Sequence, residues 1–326
     1  MFVVGATGYI GKFVTRELVS RGYQVVSFAR SRSGVNASTA MEQTRQELKG
    51  SEVRFGDVCN PDSLRRDGFK GERFDAVISC LTSRSGGVKD SWSIDYQATR
   101  NALDAGVSAG ISQFVLLSAI CVQKPMLEFQ RAKLKFEKEL TESGVTWSIV
   151  RPTAFFKSIA GQVEAVKNGK PYKMFGNGKL TACKPISEAD LARFIVDCLE
   201  DPEKQNRILP VGGPGKAITN LDQARMLFEL LGREPKLQKI PIQIFDAIIP
   251  VLTLLAKVFP QFVDKAELAR IGKYYSSESM LLLNPVTGKY DADSTPSYGS
   301  DTLRDFYKRV LKEGLAGQEL GEHSLF

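Results

Sequence analysis

The stretch that decides the fold is Phe2-Val3-Val4-Gly5-Ala6-Thr7-Gly8-Tyr9-Ile10-Gly11. A short apolar, strand-forming run gives way at once to glycines at every third position, and a helical pattern opens at Tyr9. In such a loop the first glycine permits the tight turn. The second lets backbone approach a pyrophosphate, and the third lets the helix lie close on the strand. The helix start then offers unpaired N–H groups and the positive end of its dipole to phosphate oxygens. Gly5, Thr7, Gly8, Tyr9, Ile10 and Gly11 are therefore the expected phosphate cradle. Three glycines alone also occur in ordinary turns, so the surrounding chain has to decide.

Outward from this loop, short apolar runs alternate with helical patterns. The runs are Phe2–Val4, Gln24–Ala29, Glu52–Phe55, Ala76–Leu81, Phe114–Ser118 and Thr146–Val150. Helical stretches fall at Tyr9–Ser20, Met41–Leu48, Tyr96–Ala109 and Leu127–Glu142. Near-continuous apolar strands alternating with helices predict an α/β fold: a Rossmann, doubly wound parallel sheet covered on both faces. Its ligand crevice lies at the carboxyl ends of the strands. The expected division is a dinucleotide-binding domain over 1–154 and a smaller, mostly helical substrate lobe over 155–326, with a strand returning to the sheet near 207–211. In the second half a helix is expected over Phe155–Asn168. Ser187 and Thr219 stand as N-caps of further helices.

Ile240–Phe262 is the most apolar segment, interrupted by Pro250. The proline should kink or split a helix there. Two readings stand: a buried helical hairpin, or an apolar wall or membrane-facing patch serving a greasy substrate.

The end of the second strand selects the cofactor. An acid there would bond a ribose 2′-hydroxyl, whereas arginine suits a 2′-phosphate. Ser27-Phe28-Ala29-Arg30-Ser31-Arg32-Ser33 holds no acid, and Arg30 lies nineteen residues after Gly11. NADPH is therefore expected, held by Arg30 and, beside it, Arg32. Asp57, with Val58, ends the third strand, where a carboxylate either accepts from the adenine amino group or only serves a turn. Leu81, Thr82 and Ser83 follow the fourth strand, where small residues let the cofactor's middle approach.

Ser118 ends the fifth strand. Short-chain dehydrogenases carry Tyr and Lys four residues apart on the next helix, so that both face the nicotinamide. Here Lys133 holds the lysine place, but the tyrosine place is Phe129. The phenol that would serve carbonyl reduction is missing, which argues against an ordinary alcohol dehydrogenase. Lys133 remains the catalytic candidate, as ribose anchor or general acid.

Composition excludes other classes. The chain has 326 residues and a net charge of +7, but its Lys and Arg are scattered among acids, so a nucleic-acid partner is not expected. Five scattered cysteines show no metal spacing, and the single histidine is His323, which argues against metal centres and Ser-His hydrolysis. The opening strand is so short that residues are expected upstream, a removed targeting segment among them.

Gly5–Gly11, Lys133 and Arg151-Pro152-Thr153 resemble the atypical short-chain dehydrogenase/reductase superfamily. More closely, the chain resembles the family of NADPH-dependent 8-vinyl reductases of divinyl chlorophyllide and protochlorophyllide. The resemblance is carried by Val4–Lys12, Ser85–Trp92, Val115–Pro125, Glu128–Phe136, Ile149–Lys157 and the tail Gly317–His323, and so runs over nearly the whole chain. It implies reduction of a ring vinyl group to ethyl in chlorophyll biosynthesis within the plastid, with the missing tyrosine a family trait. It implies that Pro152, Thr153 and Phe155 join Ser118 at the cofactor, and that Phe129, Phe156 and Lys157 meet a tetrapyrrole. The ring would delocalise the charge left by hydride addition, and the proton would come from Lys133, Cys121 or water. Peripheral contact with a thylakoid or envelope membrane is a further expectation. Two other readings stand beside it: a non-catalytic NADPH-binding subunit of a larger complex, and an alkene reductase for a smaller phenylpropanoid.

Overall fold

The computed structural model describes residues 1–32 and 39–314. Ser33 and the tail Gly317–His323, with its histidine, lie outside the described residues. Six strands form in the first half: β1 (Phe2–Val4), β2 (Val26–Ala29), β3 (Glu52–Phe55), β4 (Ala76–Ser79), β5 (Gln113–Leu117) and β6 (Thr146–Pro152). With Arg207–Val211 they make one seven-stranded sheet in the order β3-β2-β1-β4-β5-β6 and then 207–211. Every pairing is parallel. The strand order reverses between β1 and β4, and a crevice opens at that switch point.

β1, β2, β4 and β5 are buried along their whole length. Helices must therefore cover both faces. On one face Tyr9–Ser20 and Glu188–Glu200 pack over Val3, Ile78, Val115 and Val150. On the other face lie Thr99–Ser108 and Glu128–Thr141, whose Leu103, Phe136 and Leu140 meet Phe114 and Ile149. Ser187 caps the Glu188–Glu200 helix by accepting from the Asp190 N–H at 3.0 Å, as its residue type predicts. Residues 187–211 thus return to the sheet, and the second lobe is built from what lies on either side of them.

That lobe has its own core. Tyr172 and Met174 pack with Leu227, Phe228, Phe306 and Val310. Thr219 caps the Asn220–Leu230 helix in a reciprocal box with Asp222. The helix expected over Phe155–Asn168 is instead a 3₁₀ turn, Lys157–Ile159, followed by a short helix, Val163–Lys167. Gly161 lies in the gap, where its backbone freedom disfavours helix.

Two further departures matter for function. The helix expected to open at Tyr96 begins at Val88 and passes through a π-helical stretch, Ser91–Ala98. Pro250 does not divide its helix, which runs unbroken over Ile244–Ala256. The break falls at Pro260, which begins a second helix, Gln261–Ser277. The hairpin exists, but the Ile244–Ala256 helix buries no residue. Val251 is 58% exposed, Leu254 65% and Val258 70%, so the reading as a buried hairpin is overturned.

Candidate active site

A cavity of about 1980 Å³ opens at the carboxyl ends of the strands. A pocket for one drug-sized ligand holds about 300–1,000 Å³, so this one has room for two. One end is the glycine loop. Gly5 has φ +75°, and a Cβ there would lie 2.6 Å from the Cys80 backbone. A Cβ on Gly11 would fall 2.1 Å from the Gly5 carbonyl oxygen, so the helix can approach its strand only through glycine. Gly8 sits at the N-cap with no side-chain cap and no acid in the first turn. The first N–H groups of a twelve-residue helix are therefore left for an anion in the cavity. This cradle fits a dinucleotide diphosphate.

Gly5, Thr7, Gly8, Tyr9 and Ile10 line the cavity, while Gly11 lies behind them as the packing glycine. Arg30 reaches the cavity from the end of β2, and Arg84 reaches it from the loop after β4. Burial and the charge of Arg30 both lower the Arg84 pKa, so the two guanidiniums stand near enough to repel. A phosphate between them would relieve that repulsion. Arg32 is exposed and stands outside the cavity wall. Asp57 lines the cavity and also makes the turn, its carboxylate accepting from the Cys59 N–H at 2.9 Å. Val58, Leu81, Thr82 and Ser83 line the middle.

Lys133 comes from the Glu128–Thr141 helix. Its Nζ lies 2.9 Å from Asp95 Oδ1, with both side chains buried. Asp95 sits in the π-helical stretch and also accepts from the Ser83 N–H at 3.3 Å. One carboxylate thus ties the lysine to the loop that follows β4. Ser118 lines the cavity, but its hydroxyl donates backward to Glu137 at 2.5 Å. Glu137 also holds Arg151. The Thr153 hydroxyl likewise turns inward, to the Lys184 carbonyl. Pro152, Thr153 and Phe155 border the cavity with Phe129 and Lys157, whose ammonium lies 4.6 Å over the Tyr9 ring. Phe156 is a correction: it is 2% exposed, packs on Phe306 in the lobe core, and forms no part of the wall. Its neighbour takes the wall position because the chain turns inward at Phe156.

Residues 5–202 match the NAD(P)H-binding family model. Over the full chain there is 60% identity to the chloroplastic divinyl chlorophyllide a 8-vinyl-reductase of Cucumis sativus, covering 79% of that protein. Identity to its Arabidopsis thaliana counterpart is 57%, over 99% of this chain and 79% of that one. The chain belongs to the divinyl chlorophyllide a 8-vinyl-reductase family. Its fold matches an NADPH-dependent quinone oxidoreductase of Escherichia coli complexed with NADPH, at TM-score 0.66 and 16% identity over 95% of this chain and 99% of that one. In this family member the far end of the cavity is walled by the lobe, through Phe175, Ile240, Phe245, Leu268, Ile271 and Tyr275. Sequence reasoning missed Asp95, Arg84 and the whole Gln261–Ser277 helix. Neither Asp95 nor Arg84 stands in a motif, and that helix carries a weak apolar periodicity.

Proposed function

We propose that this chain reduces the C8 vinyl group of divinyl chlorophyllide, or of the corresponding protochlorophyllide, to ethyl, with NADPH as reductant, in the plastid. The observation that carries the reading is the two-ended cavity: a phosphate cradle at one end and a broad apolar wall at the other, with Lys133 between them. A pocket closed around one small ring would suit a phenylpropanoid, whereas this volume leaves space for a macrocycle beside a dinucleotide.

Bound NADPH supplies the hydride. Arg30 and Arg84 would grip the 2′-phosphate, and the uncapped N–H groups after Gly8 the diphosphate. Lys133, fixed by Asp95, would hold the ribose beside the nicotinamide, and Phe129 and Phe155 would seat the flat ring. Hydride addition to the terminal vinyl carbon leaves charge that the macrocycle spreads, so no oxyanion has to be neutralised at once. The test is an assay of purified protein with divinyl chlorophyllide and each nicotinamide cofactor. Monovinyl product with NADPH and far less with NADH is expected. NADPH left unoxidised by every divinyl pigment would overturn the reading.

We also infer that the Ile244–Phe259 face rests on an anionic lipid surface. Ile244, Ile248, Val251, Leu254, Val258 and Phe259 are all exposed. Lys239, Lys257 and Lys265 are exposed beside them, which favours negatively charged headgroups. Phe245, on the same helix, lines the cavity, so a membrane-dissolved pigment would meet the entrance directly. No helix among the described residues is long and apolar enough to cross a membrane, so the contact would be peripheral.

A further inference from the structure

Phe129 occupies the place where a phenol would face the nicotinamide, and a phenol reaches the same spot from elsewhere in the chain. Cys121, Leu127, Phe129, Ile271 and Tyr274 form a small buried cluster, with Tyr275 packed against it. Tyr275 lines the cavity together with Ser118, Cys121, Phe129 and Lys133. Its hydroxyl donates to the Cys121 thiol, and the charge of Asp95 is close enough to act on it. We propose that Tyr275, on the Gln261–Ser277 helix, gives the proton that completes vinyl reduction. The proposal rests on the vinyl-reductase reading given above.

The phenol is held in place by the tethering of its helix to the dinucleotide domain. Glu267 accepts from the Glu128 N–H at 2.8 Å, at the start of the helix that carries Lys133. Asp264 accepts from the Val88 N–H at 3.0 Å, at the start of the helix that carries Asp95. The Tyr274 hydroxyl donates to the Cys121 carbonyl at 2.9 Å. Gly86 and Gly87 admit this helix closely: a Cβ on Gly86 would lie 2.7 Å from Ile271, and one on Gly87 would lie 2.8 Å from Asp264.

The chemistry requires a donor that borders the cavity and still holds its proton. Burial pushes the Tyr275 phenol well above its ordinary value, with the Cys121 sulfur and Asp95 adding to the effect, so the hydroxyl keeps its proton at neutral pH. The Lys133 ammonium is engaged by Asp95, and burial pushes the Cys121 thiol up. In the step, the terminal vinyl carbon gains the hydride and the inner carbon gains the phenol proton. The O–H bond breaks as the new C–H bond forms. The vinyl is reduced, the nicotinamide is oxidised, and the phenolate regains a proton from solvent before the next turnover.

The test compares the full chain with Tyr275→Phe and Tyr307→Phe, each measured for turnover, NADPH affinity by fluorescence, and thermal midpoint. Tyr275→Phe keeps the packed ring, so NADPH affinity should stay within about twofold while kcat falls about 10²-fold or more. Tyr307→Phe should lower the thermal midpoint but keep kcat within about threefold, because its hydroxyl serves the Ile159 carbonyl in the lobe core. Phe129→Tyr in the Tyr275→Phe chain returns a phenol to the same region and should recover part of the lost kcat. An active wild-type chain whose Tyr275→Phe form turns over within threefold of it would overturn the proposal alone. A folded wild-type chain that reduces no divinyl pigment would overturn both this proposal and the functional reading beneath it.

Discussion

Lys133 and Asp95 form a buried ion pair, with Nζ 2.9 Å from Oδ1, between two helices on the same side of the cavity. The pair joins the lysine of the short-chain dehydrogenase pattern to a residue that no motif marks. A buried charge that loses its partner costs about 3–5 kcal/mol, whereas loss of both is often close to neutral. Asp95→Asn and Lys133→Met should each lower the thermal midpoint, and the double variant should recover most of that loss. Turnover should stay down about 10²-fold in Lys133→Met and in the double variant, since the cationic anchor is gone in both. Recovery of turnover in the double variant would remove Lys133 from the chemistry.

Arg30 and Arg84 both line the cavity at the expected 2′-phosphate place, and the charge of Arg30 acts on Arg84. Charge-assisted hydrogen bonds contribute about 1.5–3 kcal/mol, or roughly tenfold to a hundredfold in affinity. Arg30→Ala and Arg84→Ala should each raise the NADPH Michaelis constant by that order, with NADH use barely changed. Equal losses for both cofactors would defeat the 2′-phosphate assignment.

Gly11→Ala places a methyl 2.1 Å from the Gly5 carbonyl oxygen, which forces helix and strand apart. NADPH binding, followed by fluorescence titration, should be lost, and the thermal midpoint should fall. Gly110→Ala is the contrast: at φ +78° with nothing within 4 Å, it should cost only the strain of its backbone conformation and leave NADPH affinity unchanged.

Val251 and Leu254 stand on the exposed face of their helix. Val251→Glu with Leu254→Glu should abolish co-flotation with vesicles containing anionic lipid, while turnover on detergent-solubilised pigment stays unchanged. Wild-type chain that fails to float with such vesicles, at low salt as well as physiological salt, would end the membrane reading.

How much of this was legible in the chain differs from site to site. The glycine loop, Arg30, Lys133 and the missing tyrosine at Phe129 could all be read because each sits at a fixed offset within one β–α unit. Local periodicity also placed the six first-half strands. Phe156 was misjudged because two adjacent phenylalanines look alike in sequence, and only the inward turn of the chain separates the wall residue from the core residue. Pro250 was expected to kink or split its helix, and the split does not occur there. Only the loss of one N–H donor is dictated locally, and the chain parts at Pro260 instead.

The sequence by itself determined the dinucleotide cradle and the parallel sheet that carries it, because both follow from backbone freedom at glycine and from apolar runs along neighbouring residues. The tertiary structure alone decided which acid holds Lys133 and which two arginines line the cavity together. It also decided that Tyr275 faces Phe129 from more than a hundred residues away, and that an apolar helix lies open. The first two outcomes depend on how segments of the dinucleotide domain pack against one another, and the last two on how the lobe packs against the sheet. Packing between distant segments leaves no periodic trace in either one.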